Sequence, residues 1–383
     1  MWWVYRNNKN SILETFPFVS DDQKKTFSAN LSSIVENNDD LNEADFIKNI
    51  KIVIASLENT HTNLRENNNE VYILEAPIFY KAHKFWIKNN GRIFEVTSIN
   101  RTPILELVQT ITKEIGGGTH DYKINSALRD LNVSEISSTS ILDVRDENNN
   151  KNELNLSFIA REEYLKSAES KKNVSSKMLD ETNGYLKIDS WSSYIHNDEK
   201  NVVDSIEEEL KIISSSQSLI IDVRGNGGGN SLLAEKLAGH FIKQPVCYAT
   251  IKTRQDRSDT LSESKLFLTP QSEFLDKKVV ILTDPKCLSS NELFIMMLKD
   301  TGVATTIGQT TGGGSGNPKS FSCSLREKSY ALHVSTWKII RNNGTELENN
   351  GIEPDIVTEI KASEVIKDRD IDLETALKYL KNS

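Results

Sequence analysis

The stretch SLIIDVRGNGGGNSLLAEKLAGHFI, residues 218–242, decides the fold class of this 383-residue chain. It begins with an apolar run typical of a buried strand, turns through a glycine loop at 225–229, and continues with the apolar spacing of a helix. Strand and helix patterns alternate again in VCYATIKT (246–253), KVVILT (278–283), NELFIMMLKD (291–300) and VATTIG (303–308). This alternation predicts an α/β fold with βαβ units around a partly parallel sheet.

The region before this core has a different pattern. Residues 43–58, EADFIKNIKIVIASLE, carry apolar residues along one helical face, and residues 82–96 form two strand-like runs around Asn90-Gly91, a hairpin signal. From these changes we expect an N-terminal helical region at 1–70, a small α+β segment at 71–132, and an α/β core with a C-terminal helix at 133–383.

Composition and charge exclude several classes of function. The net charge of −9 and the lack of a dense Lys/Arg stripe argue against a nucleic-acid partner. Three scattered cysteines are too few for a disulfide framework or a zinc site. The first residues, MWWVYRNNKNSILETF, lack the apolar segment of a signal peptide, and no later run is long enough to span a membrane. We therefore expect a cytoplasmic protein, and export by another route stays open.

The glycine loop DVRGNGGGN, residues 222–230, has several interpretations. It fails as a dinucleotide fingerprint because Asn230 stands where Gly or Ala is required, and it lacks the Gly-Lys-Ser/Thr ending of a phosphate loop. Two interpretations remain: a tight strand-to-helix turn braced by Asp222 and Arg224, or a set of backbone N–H donors for an oxyanion.

Ser289 also has two interpretations. In KCLSSNELFIMMLKD, residues 286–300, the pattern Ser289-x-x-Glu292 is that of a capping box. A hydroxyl at a helix N-terminus is equally well placed to be a nucleophile, because the helix dipole and free N–H groups favour negative charge there. That interpretation requires a base.

Four blocks, in this order, carry a resemblance to a known family. LIIDVRGNGGG (219–229), VVILTDPKCLSSNELF (279–294), TIGQTTGGG (306–314) and ENNGIEPDI (348–356) resemble the tail-specific, or C-terminal processing, peptidases of family S41, including its tricorn-core-like branch. The resemblance implies a crotonase-like or ClpP-like core. It also implies that the small segment at 71–132 is at most a remnant of a PDZ-like module.

The resemblance assigns roles to single residues. Ser289 matches the family nucleophile, but Gly314 stands where the lysine-using branch has its base, and Lys319 fits that place poorly. The tricorn-like branch takes its base from far upstream, and ENTHTNL (58–64) supplies His61 preceded by Thr60. In that branch a glutamate completes the site, and Glu348 matches it. Thr60 would link His61 to Glu348, and an ordinary imidazole pKa predicts activity that rises from about pH 5 to 8.

The expected function is that of a serine endopeptidase that cleaves flexible peptides or protein tails. The oxyanion would be held by the backbone N–H of Ser290 and of Gly227 or Gly228. The resemblance implies no cofactor and no metal, and it is compatible with a homo-oligomer. The alternative is a non-catalytic member of the same fold that binds a ligand or peptide.

Overall fold

A computed structural model describes residues 2–17, 21–36, 42–67, 70–167, 173–192, 202–254, 260–325 and 328–382. The described helices are numbered in chain order: α1 (Trp2–Thr15), α2 (Asp21–Glu36), α3 (Glu43–Ala55), α4 (Ile104–Ile111), α5 (His120–Leu131), α6 (Arg161–Ser167), α7 (Val202–Ile212), α8 (Ser231–Gly239), α9 (Ser290–Lys299), α10 (Ala362–Ile366) and α11 (Ile371–Asn382). None of these described helices is long and apolar enough to cross a lipid bilayer.

The described strands are numbered in the same way: β1 (Asn63–Glu66), β2 (Tyr72–Leu74), β3 (Ile78–Lys81), β4 (Lys84–Asn89), β5 (Arg92–Ile99), β6 (Thr102–Pro103), β7 (Val133–Ser134), β8 (Thr139–Arg145), β9 (Lys151–Ala160), β10 (Val174–Met178), β11 (Asn183–Ile188), β12 (Ser218–Asp222), β13 (Val246–Arg254), β14 (Leu261–Leu268), β15 (Lys278–Thr283), β16 (Ala304–Gly308), β17 (Lys319–Leu325), β18 (Lys328–Val334), β19 (Trp337–Arg341) and β20 (Ile356–Val357).

A six-stranded sheet forms the centre of the core, in the order β10-β11-β12-β15-β16-β20. Every neighbouring pair is parallel except β10–β11. β12 and β15 are buried on both faces, one face packing with α8 and α9 and the other with α11. Burial on both faces explains why these strands read as continuous apolar runs. The predicted α/β fold with a partly parallel sheet is confirmed.

The strands β12, β15 and β16 end at the same edge of this sheet. Backbone hydrogen bonds join the loops that follow them: Leu288 N–H donates to the Asn226 carbonyl (3.2 Å), and Gly312 N–H donates to the Cys287 carbonyl (2.8 Å). The first glycine loop (225–229), the second glycine loop (312–314) and the turn before α9 therefore converge, as expected at the carboxyl edge of such a sheet.

A second, antiparallel sheet of eight strands lies between the N-terminal helices and the core in sequence. Its order is β3-β4-β5-β8-β9-β2-β7, with β6 beside β5, and α4 and α5 pack on it around a separate apolar core. The Asn90-Gly91 hairpin joins β4 to β5, as predicted. Strands β8 and β9 extend this unit to residue 160, beyond the boundary that the sequence suggested at 132. Their runs of alternating residues do not reveal which sheet they join, because that pairing is non-local.

The helices α1, α2 and α3 pack against a three-stranded sheet of order β1-β18-β17. In this sheet β1 follows the N-terminal helices, whereas β17 and β18 belong to the core region. Asn63 of β1 pairs with His333 of β18, and the Thr62 hydroxyl accepts a hydrogen bond from Ser335 N–H (3.0 Å). This pairing fixes the turn at 56–62 against the core.

Arg224 ties the end of β12 to the start of α11. Its guanidinium donates to Asp222 (2.7 Å), Asp370 (2.7 Å) and Asp372 (2.9 Å). Burial alone would raise the pKa of Asp222, but the hydrogen bond and charge of Arg224 outweigh it and lower that pKa to about 2. The predicted brace between Asp222 and Arg224 is confirmed, and it also recruits the C-terminal helix.

We predict that Arg224→Gln lowers the free energy of unfolding by about 3–5 kcal/mol, because it leaves buried carboxylates without their cation. Urea denaturation measures this. The control is Arg369→Gln, which removes a solvent-exposed pair with Glu374 and should leave the free energy of unfolding nearly unchanged. Equal losses in the two variants would contradict the assigned role of Arg224.

Candidate active site

Ser289 lies on the sharp turn between β15 and α9, as the N-cap residue of α9. Its backbone has φ 60° and ψ −128°, in the positive-φ region that a non-glycine residue rarely adopts. Such a conformation costs on the order of 1–3 kcal/mol and persists only where the surroundings enforce it. A serine held on a strained strand-to-helix turn is the arrangement of a nucleophile elbow, which exposes the hydroxyl.

Glu292 holds this turn from inside the protein. Its buried carboxylate accepts hydrogen bonds from the backbone N–H groups of Ser289 (3.2 Å), Gly313 (2.9 Å) and Gly314 (2.9 Å), and from the Thr311 hydroxyl. Burial raises the pKa of Glu292 to about 7 despite these donors. The capping-box pattern thus marks a real contact from Glu292 to Ser289 N–H. The same carboxylate also connects the turn at Ser289 to the second glycine loop.

His61 reaches the Ser289 hydroxyl from the other side of the site. Its Nε2 lies 3.1 Å from Ser289 Oγ, and its Nδ1 lies 2.9 Å from Thr60 Oγ1. The backbone N–H of His61 donates to Asn59 Oδ1 (3.1 Å). Both ring nitrogens therefore have hydroxyl partners, and the ring is fixed between Thr60 and Ser289.

Glu348 is buried beneath the turn that carries His61. Its carboxylate accepts from Thr60 N–H (2.7 Å) and from Asn59 Nδ2 (3.1 Å). Burial raises the pKa of Glu348 to about 8, although hydrogen bonds from the backbone and side chain of Thr60 act in the opposite direction. The structure thus brings together Ser289, His61, Thr60 and Glu348, all of which the sequence predicted.

Burial also changes the acid–base property of His61. Together with the nearby positive charges of Arg65 and His333, burial lowers the pKa of His61 to about 4. The imidazole is therefore neutral at pH 7, as a proton acceptor must be. The expected rise of activity between about pH 5 and 8 assumed an unshifted imidazole, and this environment moves that rise to lower pH.

The first glycine loop lies against Ser289. A Cβ added at Gly228 would come within 2.8 Å of Ser289 Cβ, so this close approach requires glycine. The N–H of Gly228 donates to Asn226 Oδ1 (2.9 Å), which removes it from the candidate oxyanion donors. The N–H groups of Gly227 and Ser290 make no hydrogen bond to any described residue, so they are the remaining candidates.

Gly314, which stands where the lysine-using branch has its base, lies directly against Thr60. A Cβ at residue 314 would lie 2.6 Å from Thr60 Cγ2 and closer still to the Thr60 hydroxyl. Thr60 thus occupies the space through which a longer side chain would have to extend. Lys319 is exposed at the start of β17 and does not line the cleft that contains His61.

An open cleft of about 540 Å³ lies beside Ser289 and is lined in part by Thr60, His61 and Gly227. One wall comes from the turn at 60–61 and β1, another from α5, and the floor from the first glycine loop and the turn before Ser289. The lining residues are Thr60, His61, Asn63, Arg65, Tyr122, Asn125, Ser126, Arg129, Gly225, Gly227, Lys286, Leu288, Pro318 and His333.

Sequence reasoning missed several residues of the site. Asn59 anchors both His61 and Glu348, and its position two residues before the histidine was the only signal available. Glu292 was treated as a helix cap, although a carboxylate in the apolar run NELFIMML signals a buried partner. The cations Arg65 and Arg129 lie in segments that have no motif.

Three kinds of comparison place the chain among known proteins. Residues 182–358 match the model of the family described as Peptidase family S41. The carboxy-terminal processing protease CtpB of Bacillus subtilis is 24% identical over 173 residues, 45% of this chain and 33% of that protein. A tricorn protease homolog of Saccharolobus solfataricus is 28% identical over 166 residues, 42% of this chain and 14% of that protein. The chain thus matches a third or less of the length of these relatives.

Solved structures match over nearly the whole chain. Mature CPAF superposes with a TM-score of 0.77 at 13% identity, covering 99% of this chain and 95% of that one. The photosystem II D1 C-terminal processing protease gives a TM-score of 0.57 at 14% identity, covering 93% and 92%. At these identities the likeness shows the fold alone. The family-level finding is therefore that residues 182–358 match Peptidase family S41, within a chain whose fold is like that of these solved structures.

Proposed function

We propose that this chain is a serine peptidase in which Ser289 is the nucleophile and His61 the general base. The observation that carries the proposal is the 3.1 Å contact between Ser289 Oγ and His61 Nε2, at a strained turn beside an open cleft that His61 lines. Nucleophile and base within hydrogen-bond reach, with a third group behind the base, are the signature of an activated serine.

The contacts behind the imidazole select its tautomer. If Nδ1 carries the proton and donates to Thr60 Oγ1, Nε2 is left to accept the proton of the Ser289 hydroxyl. Glu348 accepts a hydrogen bond from the Thr60 backbone N–H from below, which holds the turn that carries His61 in place. Thr60 and Glu348 are therefore positioning residues that act through His61.

The reaction follows from this geometry. Ser289 Oγ attacks the peptide carbonyl carbon while its proton passes to His61 Nε2, and the carbonyl oxygen becomes an oxyanion. The N–H groups of Ser290 and Gly227 are the donors available for that oxyanion. His61 then gives the proton to the leaving amine, the C–N bond breaks, and an acyl-enzyme remains. Water, deprotonated by His61, releases the acid product and restores Ser289.

The substrates are flexible peptides or unfolded protein tails. The cleft is open to solvent and is lined by residues of the N-terminal turn, of α5 and of the core, so an extended peptide can enter it beside His61. A non-catalytic ligand-binding role is the second candidate. The contact between serine and histidine favours the enzyme, since a carrier has no use for a strained nucleophile turn.

We predict that His61→Ala lowers kcat by about 10²–10⁴-fold or more, because it removes the general base. Cleavage of an unfolded protein such as reduced casein, followed by gel and mass spectrometry, measures this. Ser289→Ala should be equally inactive. Lys319→Ala, the matched test of a lysine base, should retain wild-type turnover. A folded but inactive Lys319→Ala enzyme, or an active His61→Ala enzyme, would refute the assignment.

We predict that Glu348→Gln reduces kcat less than His61→Ala does. It weakens the support of the Thr60 turn by about 1–3 kcal/mol, roughly a 5- to 150-fold loss. The control is Glu346→Gln, two residues away, which removes only a partly exposed pair with Lys338 and should leave kcat unchanged. Equal kcat values in the two variants would show that Glu348 has no positioning role.

We predict that kcat/KM loses activity on the acid side with a midpoint near pH 4, since the pKa of His61 is lowered to about 4. The base is neutral, and therefore competent, at every pH above that value. A pH profile of kcat/KM, which reports the free enzyme, measures the midpoint. A midpoint near the ordinary histidine value of about 6.5 would contradict the buried environment described for His61.

A further inference from the structure

A third run of glycines, residues 116–118, packs on the active site from the unit of the eight-stranded sheet. With Thr119 it forms the end of the connection between α4 and α5, and we call residues 116–119 the triglycine loop. All three glycines are buried. None of the four residues lines the cleft beside Ser289, so any effect of the loop on the reaction must pass through neighbouring residues.

On one side, the triglycine loop contacts the turn that carries His61. A Cβ added at Gly117 would lie 2.5 Å from the Thr60 backbone nitrogen and 2.6 Å from Glu348 Oε1. These are the two atoms that the 2.7 Å hydrogen bond from Thr60 N–H to Glu348 joins. The backbone of Gly117 therefore covers the hydrogen bond that supports the turn, and the site leaves no room for a side chain there.

On its other side, the triglycine loop is hydrogen-bonded to the second glycine loop. Thr119 N–H donates to the Gly312 carbonyl (2.8 Å), and the Thr119 hydroxyl donates to the Thr311 carbonyl (3.1 Å). Two residues further along, the Gly314 carbonyl accepts from Ser289 N–H (2.9 Å). Thr119 is therefore connected to the turn at Ser289 through the backbone of a single loop.

Tyr122, the third residue of α5, packs against both loops from the cleft side. A Cβ added at Gly118 would collide with Tyr122 Cδ1, and one added at Gly312 would lie 2.9 Å from Tyr122 Cδ2. Helix α5 is itself anchored in the apolar core of the eight-stranded unit by buried residues such as Ile124 and Leu128. A rigid helix therefore fixes the place where the two loops meet.

The triglycine loop thus lies between the two halves of the site, and we infer that it is a positioning element of the reaction. It holds the turn that carries His61 and the second glycine loop at the separation that the contact between His61 and Ser289 requires. Gly117 and Thr119 are its positioning residues: Gly117 acts through Thr60 and Glu348, and Thr119 acts through the second glycine loop. The inference rests on the proposed peptidase function and adds this loop to its machinery.

Gly117→Ala tests the contact with the turn, and Gly91→Ala is its matched control. Both glycines have positive φ, +68° and +74°, where alanine is strained, but a Cβ at Gly91 meets nothing within 4 Å. With a fluorogenic peptide from a casein cleavage site, we expect Gly117→Ala to lower kcat by about 10²-fold at unchanged KM, because Thr60 must move by about 1 Å. Gly91→Ala should keep wild-type kcat and KM although its Tm falls.

Substitutions of Thr119 test the other side and keep the inference falsifiable if Gly117→Ala does not fold. Thr119→Val keeps the shape of the side chain but removes the hydroxyl that donates to Thr311. It should lower kcat per folded molecule by about 2- to 10-fold at unchanged KM. Thr119→Ser retains the donor and should restore kcat. A merely structural hydroxyl would change the Tm and leave kcat per folded molecule at the wild-type value.

A double-mutant cycle tests whether Gly117 acts through Glu348. In the Glu348→Gln enzyme the support of the turn is already weakened, so adding Gly117→Ala should lower kcat by a smaller factor than it does in the wild-type enzyme. The cycle compares kcat values of folded protein, with folding checked by circular dichroism. Factors that simply multiply would show that the two residues act independently, which contradicts the inference.

The outcomes separate the two proposals. Ser289-dependent cleavage that keeps its wild-type kcat in Gly117→Ala and in Thr119→Val would overturn the positioning role and leave the peptidase intact. If folded wild-type protein shows no Ser289-dependent cleavage of any peptide or unfolded protein, the peptidase function is overturned and the positioning role with it.

Discussion

The site depends on a carboxylate buried beneath a backbone turn. Glu348 accepts hydrogen bonds from Thr60 N–H and Asn59 Nδ2, and Asn59 in turn holds His61 N–H. A buried carboxylate without such donors would be strongly destabilising, so the turn and Glu348 require each other. The position of the imidazole follows from that arrangement, and so does its 3.1 Å contact with Ser289.

Chain topology makes this arrangement possible. His61 and Ser289 are 228 residues apart, and the pairing of β1 with β18 brings the N-terminal part of the chain to the carboxyl edge of the central sheet. Thr60 then fills the space above Gly314 where a lysine side chain would have to start. In this chain, Thr60 and a side chain at residue 314 therefore cannot occupy the same space.

Sequence predicted the fold, and which candidate site residues lie together, better than it predicted their surroundings. Continuous apolar runs and helical spacing are local signals, so the sequence alone predicted the parallel core around β12 and β15. Ser289, His61, Thr60 and Glu348 came from ordered motifs that resemble a family. The sequence did not predict the lowered pKa of His61, the hydrogen bond that engages Gly228 N–H, or the cations that line the cleft. Each of these features depends on burial or on neighbours that are distant in sequence. The antiparallel partners of β8 and β9 were missed for the same reason.

The central claim is that His61 activates Ser289, and reaction with a fluorophosphonate probe tests it most directly because no substrate sequence is needed. Mass spectrometry of the labelled wild-type protein should find one adduct, on Ser289. In His61→Ala, with an unchanged circular dichroism spectrum, labelling should slow by about 10²-fold or more. Labelling of His61→Ala at the wild-type rate, or no labelling of folded wild-type protein, would contradict the account.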